Sequence, residues 1–147
     1  MDTEKQDITS TNREIIAGAL QSRESRFNHL KSTRFDPEAL WNRVDGDMEL
    51  LRELVVVFAE EGPRMLARIE DAIRHGSASD LEKSSHKIKG SVLQFSAHGA
   101  SGIALQLEEM GRSGSMTGAE SLLRSLKREI DLLRADLNAM VCGGPAV

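Results

Sequence analysis

The sequence predicts an all-α protein, an antiparallel four-helix bundle with a short leading helix and a polar N-terminal tail. Apolar residues recur at spacings of three and four along most of the chain, and no segment shows the strict alternation that is typical of a strand. Leu, Ala, Glu and Arg, which favour helices, are abundant. The 147 residues, of which 39% are hydrophobic, are sufficient for one domain with a buried core.

Residues 1–34 are polar and are interpreted as a tail or linker. Their few apolar side chains have the spacing of a weak amphipathic helix; these are Ile15, Ile16, Leu20, Phe27 and Leu30. The folded domain is predicted for residues 35–140, and residues 141–147 form a C-terminal tail. The domain is expected to open with a short helix, in which Asp36 is the N-cap and Pro37 occupies the first turn.

A long helix is predicted from about Asp47 to His75. Its apolar stripe keeps the same phase across Gly62 and Pro63, which indicates one bent helix and not two separate ones. Gly76 is expected to end this helix in the left-handed conformation.

Three more helices complete the predicted bundle. The first is expected to begin at a capping box formed by Ser79 and Glu82 and to end near Phe95. The next begins after the break at "SAHG" and ends in the glycine-rich stretch "GRSGS". The last is expected to begin at a second capping box, Thr117 with Glu120. Its core stripe consists of Leu122, Leu126, Ile130, Leu133 and Leu137.

Charge and composition exclude several classes of function. A net charge of -4 gives no support for nucleic-acid binding. No apolar run approaches the roughly 20 residues of a membrane span, and no secretory signal is visible at the N-terminus. The single Cys142 permits no internal disulfide, which suits a reducing compartment. The expected location is the cytoplasm, with tethering to the inner membrane as the alternative if the chain belongs to a hybrid kinase.

The stretch "SSHKIKGSVLQF", residues 84–95, places a histidine on the polar face of its helix. At about 100° per residue, His86 points away from the buried stripe, which contains Leu81, Ile88, Val92 and Phe95. The same outer face carries Lys83, Lys89, Gly90, Leu93 and, at its edge, Gln94.

These residue types suit a phosphoryl acceptor. A neutral imidazole is a nucleophile near pH 7. A phosphoryl group on His86 would carry about two negative charges, which nearby ammonium groups favour. Gly90 costs the helix about 1 kcal/mol relative to alanine, but it leaves space beside the ring for a partner's backbone. Leu93 offers that partner an apolar contact.

The motif "HKIKGS" resembles the H-x-[LI]-K-G-[SA] signature of histidine-containing phosphotransfer (HPt) domains, and the helix order resembles theirs over roughly residues 35–140. The resemblance implies that His86 is phosphorylated, that Lys89 assists it and that Gly90 is its small neighbour. It also implies a role for Gln94, the polar residue eight positions after the histidine. Ser85 departs from the alanine that often precedes the histidine, and Ser96-Ala97 departs from the common Gly-Ala.

The function implied is that of a phosphocarrier. His86 would accept a phosphoryl group from a receiver-domain aspartyl phosphate of a hybrid sensor kinase and pass it to the receiver aspartate of a response regulator. Lys83, Lys87 and Leu93 are expected to help dock these receivers, and each receiver is expected to supply Mg²⁺. The chain itself is expected to be a monomer with no cofactor, no metal, no ATP site and no membrane insertion.

Three alternatives remain open at this point. A phosphotransfer domain of the chemotaxis-kinase type would take its phosphoryl group from an ATP-bound kinase domain, and Ile88 fits that motif. A non-phosphorylated helical adaptor would only bind receivers. A metal-binding bundle would use several histidines, but His29, His75, His86 and His98 lack ligand spacing. Glu108 and Glu109 are not predicted as paired catalytic carboxylates, because adjacent helix positions do not face each other.

Overall fold

The computed structural model describes residues 34–142, and all the regular secondary structure within them is helical. The all-α prediction is therefore confirmed for this part of the chain. Of the tails predicted at 1–34 and 141–147, residues 1–33 and 143–147 lie outside the described residues. The last helix continues to Cys142 with Val141 buried, two residues beyond the predicted end of the domain at 140. The five helices are α1 (Pro37–Arg43), α2 (Met48–Arg74), α3 (Ala78–Leu93), α4 (His98–Ser113) and α5 (Ala119–Cys142).

Helices α2 to α5 form the bundle, in which α2 contacts both α3 and α5 and α4 contacts the same two helices from the other side. Short connections make neighbouring helices antiparallel, as the sequence predicts. The core is built from aliphatic side chains of all four helices that are almost completely buried; among them are Leu51, Ile69, Leu81, Ile88, Leu107, Leu126, Ile130 and Leu133. Within residues 34–142, no helix has the combination of length and hydrophobicity that crossing a membrane requires.

The beginning of the domain follows the predicted signals. The Asp36 carboxylate accepts hydrogen bonds from the backbone N–H groups of Glu38 and Ala39, both at 3.1 Å, and so caps α1. Helix α2 then continues through Pro63 without interruption, which confirms one helix and not two. A side chain at the neighbouring Gly62 would lie 3.5 Å from Ile130 Cγ2, so this glycine lies where α2 and α5 pack closely.

Two predicted capping boxes are wrong. Gly76 is left-handed (φ 66°) as expected, and the chain turns there so sharply that Ser77 caps α3 with a hydrogen bond from Asp80 N at 3.3 Å. Ser79 therefore lies inside the first turn and is not the N-cap. Helix α5 likewise begins only after Gly118 (φ 89°), so Thr117 lies in the turn that precedes the helix and is not its N-cap.

Helices α3 and α4 approach each other closely at Gly111. A β-carbon at this position would lie 2.5 Å from the backbone nitrogen of Glu82 and 2.6 Å from the carbonyl oxygen of Ala78. Because only glycine leaves room for this approach, Gly111 sets the separation of the two helices next to the histidine.

Candidate functional site

His86 lies on the outer face of α3, and its side chain is 67% exposed. On the opposite face of the same helix, Leu81, Ile88 and Val92 are completely buried, which matches the orientation predicted from the helical repeat. The imidazole is therefore accessible to another protein while the helix that carries it is held by the core.

A buried carboxylate from α4 contacts the imidazole. Only 4% of the Glu108 side chain is exposed, and its Oε2 atom lies 2.8 Å from His86 Nδ1. Its other oxygen, Oε1, accepts a hydrogen bond of 2.6 Å from Lys89 Nζ. Lys89, which lies one turn after the histidine on α3, is thus engaged with the same carboxylate and is only 23% exposed.

Arg112 adds a third donor to this cluster. Its Nη2 atom donates to Glu108 Oε2 at 3.2 Å, and its Nε atom donates to Glu82 Oε2 at 3.1 Å. Arg112 follows Glu108 by one turn of α4, so both side chains face α3. The guanidinium consequently links the two helices beside the histidine.

The environment keeps Glu108 ionised. Burial by itself would raise the pKa of Glu108, but the hydrogen bonds and positive charges of Lys89 and His86 lower it further than burial raises it. The net effect places the pKa of Glu108 below its usual value, so this side chain is a carboxylate at neutral pH.

An ionised carboxylate accepts hydrogen bonds but cannot donate them. The proton in the His86–Glu108 hydrogen bond therefore belongs to Nδ1 of the ring, and in the neutral imidazole the lone pair is then on Nε2. Within residues 34–142, no hydrogen-bond partner occupies Nε2. The arrangement thus presents a nucleophilic nitrogen toward solvent and holds the other nitrogen in place.

The other predicted residues of α3 occupy its surface around His86. A β-carbon built on Gly90 meets no atom within 4 Å, so the space beside the ring is open. Lys83 and Lys87 are exposed, and Leu93 is an exposed large hydrophobic residue at 38%.

Gln94 is placed differently from the rest of the predicted site. It is the C-cap residue of α3, and its backbone carbonyl accepts a hydrogen bond from Arg43 Nη1. The same guanidinium also bonds the carbonyl oxygen of Leu93 at 2.9 Å, so α1 secures the end of the histidine helix. In the described part of the chain, no hydrogen bond joins the Gln94 side chain to the histidine cluster.

Sequence reasoning missed Glu108 and Arg112. The signal for Glu108 was present, since Ala104, Leu107 and Gly111 are among the buried residues of α4 and Glu108 lies between them on the helical wheel. A carboxylate in a buried stripe requires a cationic or hydrogen-bonding partner. Because the neighbouring Glu109 is an exposed residue, the two adjacent glutamates were judged only as a pair, and the buried position of Glu108 was overlooked.

The other histidines do not form a metal site in the part of the chain that the structure describes. His75 and His98 are exposed and belong to other parts of the bundle, and His29 lies outside the described residues. In residues 34–142, no three His, Cys, Asp or Glu side chains are grouped so that they would hold a metal ion. Ser85 is completely buried, and its hydroxyl has no partner within the described range, so an alanine would suit the same position.

Comparisons with known proteins point to one family. The family model described as the Hpt domain matches residues 53–136, more than half of the chain. The fold is similar to the crystal structure of histidine-containing phosphotransfer protein B (HptB) from Pseudomonas aeruginosa PAO1, with a TM-score of 0.69 and 22% sequence identity. The alignment covers 74% of this chain and 94% of that chain. A search of curated proteins finds no match.

Proposed function

The chain belongs to the Hpt domain family, and we propose that His86 is the residue on which it carries a phosphoryl group. Hpt domains are phosphotransfer intermediates that interact with receiver domains in phosphorelays, so the chain acts in histidine phosphotransfer. The observation that supports His86 is its hydrogen bond to Glu108, which leaves Nε2 exposed and unprotonated in the neutral ring.

In the proposed transfer, the lone pair of His86 Nε2 attacks the phosphorus of an aspartyl phosphate on a receiver domain. A nitrogen–phosphorus bond forms, the bond from phosphorus to the aspartate oxygen breaks, and the aspartate leaves as a carboxylate. The ring now carries a positive charge that it shares with Nδ1–H, which faces the Glu108 carboxylate at 2.8 Å. Attack by the aspartate of a second receiver reverses these steps.

Glu108 supports this reaction in two ways. It orients the ring and fixes the proton on Nδ1, and its negative charge stabilises the cationic phosphorylated imidazole. Lys89 and Arg112 in turn hold the carboxylate in place and keep it ionised. Because Lys89 Nζ lies 2.6 Å from Glu108 Oε1, its first role is to position Glu108, and contact with the phosphoryl group would require it to move.

The donor and acceptor are proposed to be the receiver domains of a hybrid sensor kinase and of a response regulator. The open space at Gly90 and the exposed Lys83, Lys87 and Leu93 are the surface on which a receiver would dock. We further propose that Mg²⁺ is bound by the receiver, and that this chain acts as a cytoplasmic monomer without its own ATP site.

The test is transfer from a radiolabelled phosphorylated receiver domain to the full chain, with acid-labile, alkali-stable label as the readout. Wild type and His98→Gln, whose histidine is also exposed, are expected to become labelled, and His86→Gln is expected to fold normally and remain unlabelled. Label on His86→Gln would refute the assignment of the site. Labelling by an ATP-bound kinase domain but not by any receiver would refute the proposed donor.

A further inference from the structure

An open apolar groove of about 480 Å³ lies between α2 and α5, and all its lining residues belong to these two helices. Its walls include Val55, Val56 and Ala59 of α2 and Ala135 and Val141 of α5. Val56 remains 56% exposed at its edge. The groove is separate from the phosphotransfer site, because His86 and its partners belong to α3 and α4.

We propose that this groove binds the chain's own residues 15–27 as an amphipathic helix. The position of Arg34 supports an occupant from the same chain. Arg34 forms ion pairs with Asp136 (3.5 Å) and Glu129 (4.0 Å) of α5, so the segment that precedes it starts beside the helix that forms one wall of the groove.

The distance from Arg34, beside Asp136, to the groove on the other side of α5 is short enough for a few residues to span. Asp136 and the groove residue Asn138 lie about 160° apart around α5. Half the circumference of a helix about 10–12 Å wide is roughly 17 Å, which about five extended residues can cover. Residues 29–33 therefore suffice as a connection, and residues 1–28 remain available for docking.

The length and the apolar pattern of residues 15–27 also agree with the groove. The α5 wall extends from Asp131 to Cys142, about 17 Å at 1.5 Å per residue, and a helix over residues 15–27 would be about 20 Å long. Ile15, Ile16, Leu20 and Phe27 fall within about 140° of one another on a helical wheel. Ala19, Arg23 and Arg26 lie in the same arc, so this face is apolar along its first half and mixed along its second. Covering Val56 with this face removes exposed hydrophobic surface and leaves His86 accessible.

The single cysteine provides a probe within the groove. Cys142 lines the groove and is exposed, so a nitroxide label can be attached there in the ¹⁵N-labelled full chain without further mutation. The amide signals of residues 15–27 are expected to broaden strongly. In the unlabelled chain, the same amides are expected to show slowed hydrogen exchange, which excludes an effect of the label itself.

Val56→Asp and Val57→Asp form a matched pair, because both valines are 56% exposed on α2 and only Val56 lines the groove. Placing a carboxylate under the docked segment should reduce the broadening and the exchange protection by about tenfold or more in Val56→Asp, with little change in Val57→Asp. The proposal fails if residues 15–27 are neither broadened nor protected, or if both variants behave alike. It also fails if the broadening arises between chains, as shown by mixing nitroxide-labelled unenriched protein with unlabelled ¹⁵N protein.

Discussion

Glu108→Gln is the sharpest perturbation of the proposed mechanism. Glutamine has nearly the same size as glutamate, and its side-chain oxygen can still accept the hydrogen bond from His86 Nδ1. With that oxygen toward His86, the substitution preserves the ring orientation and the position of its proton. It removes the negative charge, and because an amide NH2 group replaces Oε1, it also removes the 2.6 Å hydrogen bond from Lys89. The loss in transfer rate beyond that of Lys89→Ala, which removes the same hydrogen bond and keeps the carboxylate, then reports on stabilisation of the cationic phosphorylated ring.

The expected loss in the rate of phosphoryl acceptance follows from the distance between the two charges and from their exposure. Two unit charges about 4 Å apart interact by about 1 kcal/mol in water and about 4 kcal/mol at an effective dielectric constant of 20. The imidazole is 67% exposed and the carboxylate is 4% exposed, so the pair lies between these limits. An interaction of about 2 kcal/mol corresponds to a rate of phosphoryl acceptance roughly thirtyfold lower.

Rapid-quench measurement of transfer from a phosphorylated receiver provides the assay. Glu109→Gln is the matched control, because Glu109 is the exposed neighbour of Glu108 on the same helix and should transfer at the wild-type rate. Two-bond ¹H–¹⁵N correlations of the imidazole should show the Nδ1–H tautomer in wild type and in Glu108→Gln. A folded Glu108→Gln protein that accepts phosphate at the wild-type rate would refute the role of the charge.

The same variant has a defined dependence of stability on pH. The pKa of Glu108 is lowered in the folded state, so this carboxylate stabilises the fold above its unfolded pKa of about 4.3. That contribution is lost as the pH falls through the lower folded pKa. The difference in unfolding free energy between wild type and Glu108→Gln should therefore be present at pH 7 and should shrink below about pH 4.

Substitutions at three further positions separate positioning, access and packing. Lys89→Ala removes the 2.6 Å hydrogen bond to Glu108 and should slow phosphoryl acceptance about tenfold while lowering the denaturant midpoint; an unchanged rate would make Lys89 irrelevant to transfer. Gly90→Ala should stabilise the fold by up to about 1 kcal/mol, because its β-carbon meets nothing within 4 Å, and should slow transfer by hindering the receiver, with Gly90→Glu slower still. A destabilised Gly90→Ala protein with normal transfer would show instead that this glycine is needed for packing. Gly111→Ala should cost about 3 kcal/mol in chemical denaturation, because its β-carbon would lie 2.5 Å from the backbone of α3; wild-type stability would contradict the close contact of α3 and α4.

The fold and the orientation of the histidine were predictable because both depend on local periodicity. The stripe through Leu81, Ile88 and Val92 fixes the buried face of α3, and the direction of His86 follows from the helical repeat alone. The phase of apolar residues across Pro63 similarly identified one long α2. Such features need no knowledge of how the helices pack against one another.

The cap positions were less predictable because several residues compete for them. Ser77 and Ser79 are both suitable N-caps, and the sequence pattern favoured Ser79 because Glu82 completes a capping box. Because the backbone turns at the left-handed Gly76, Ser77 is the first residue available to start the next helix, and its side chain forms the cap. At α5, the turn at Gly118 moved the start of the helix beyond Thr117 in the same way.

The contacts of Glu108 depend on the separation of two helices, and that separation is set by Gly111. Gly111 meets α3 at Glu82, and Glu108, three residues earlier on α4, meets α3 at His86, four residues after Glu82. Both contacts thus lie along the same pair of facing stripes. A side chain at position 111 would move α4 outward and lengthen the 2.8 Å hydrogen bond to the imidazole. Loss of stability and loss of phosphoryl acceptance should therefore occur together in Gly111→Ala. In Gly90→Ala, on the open face of the same site, phosphoryl acceptance should fall while stability rises.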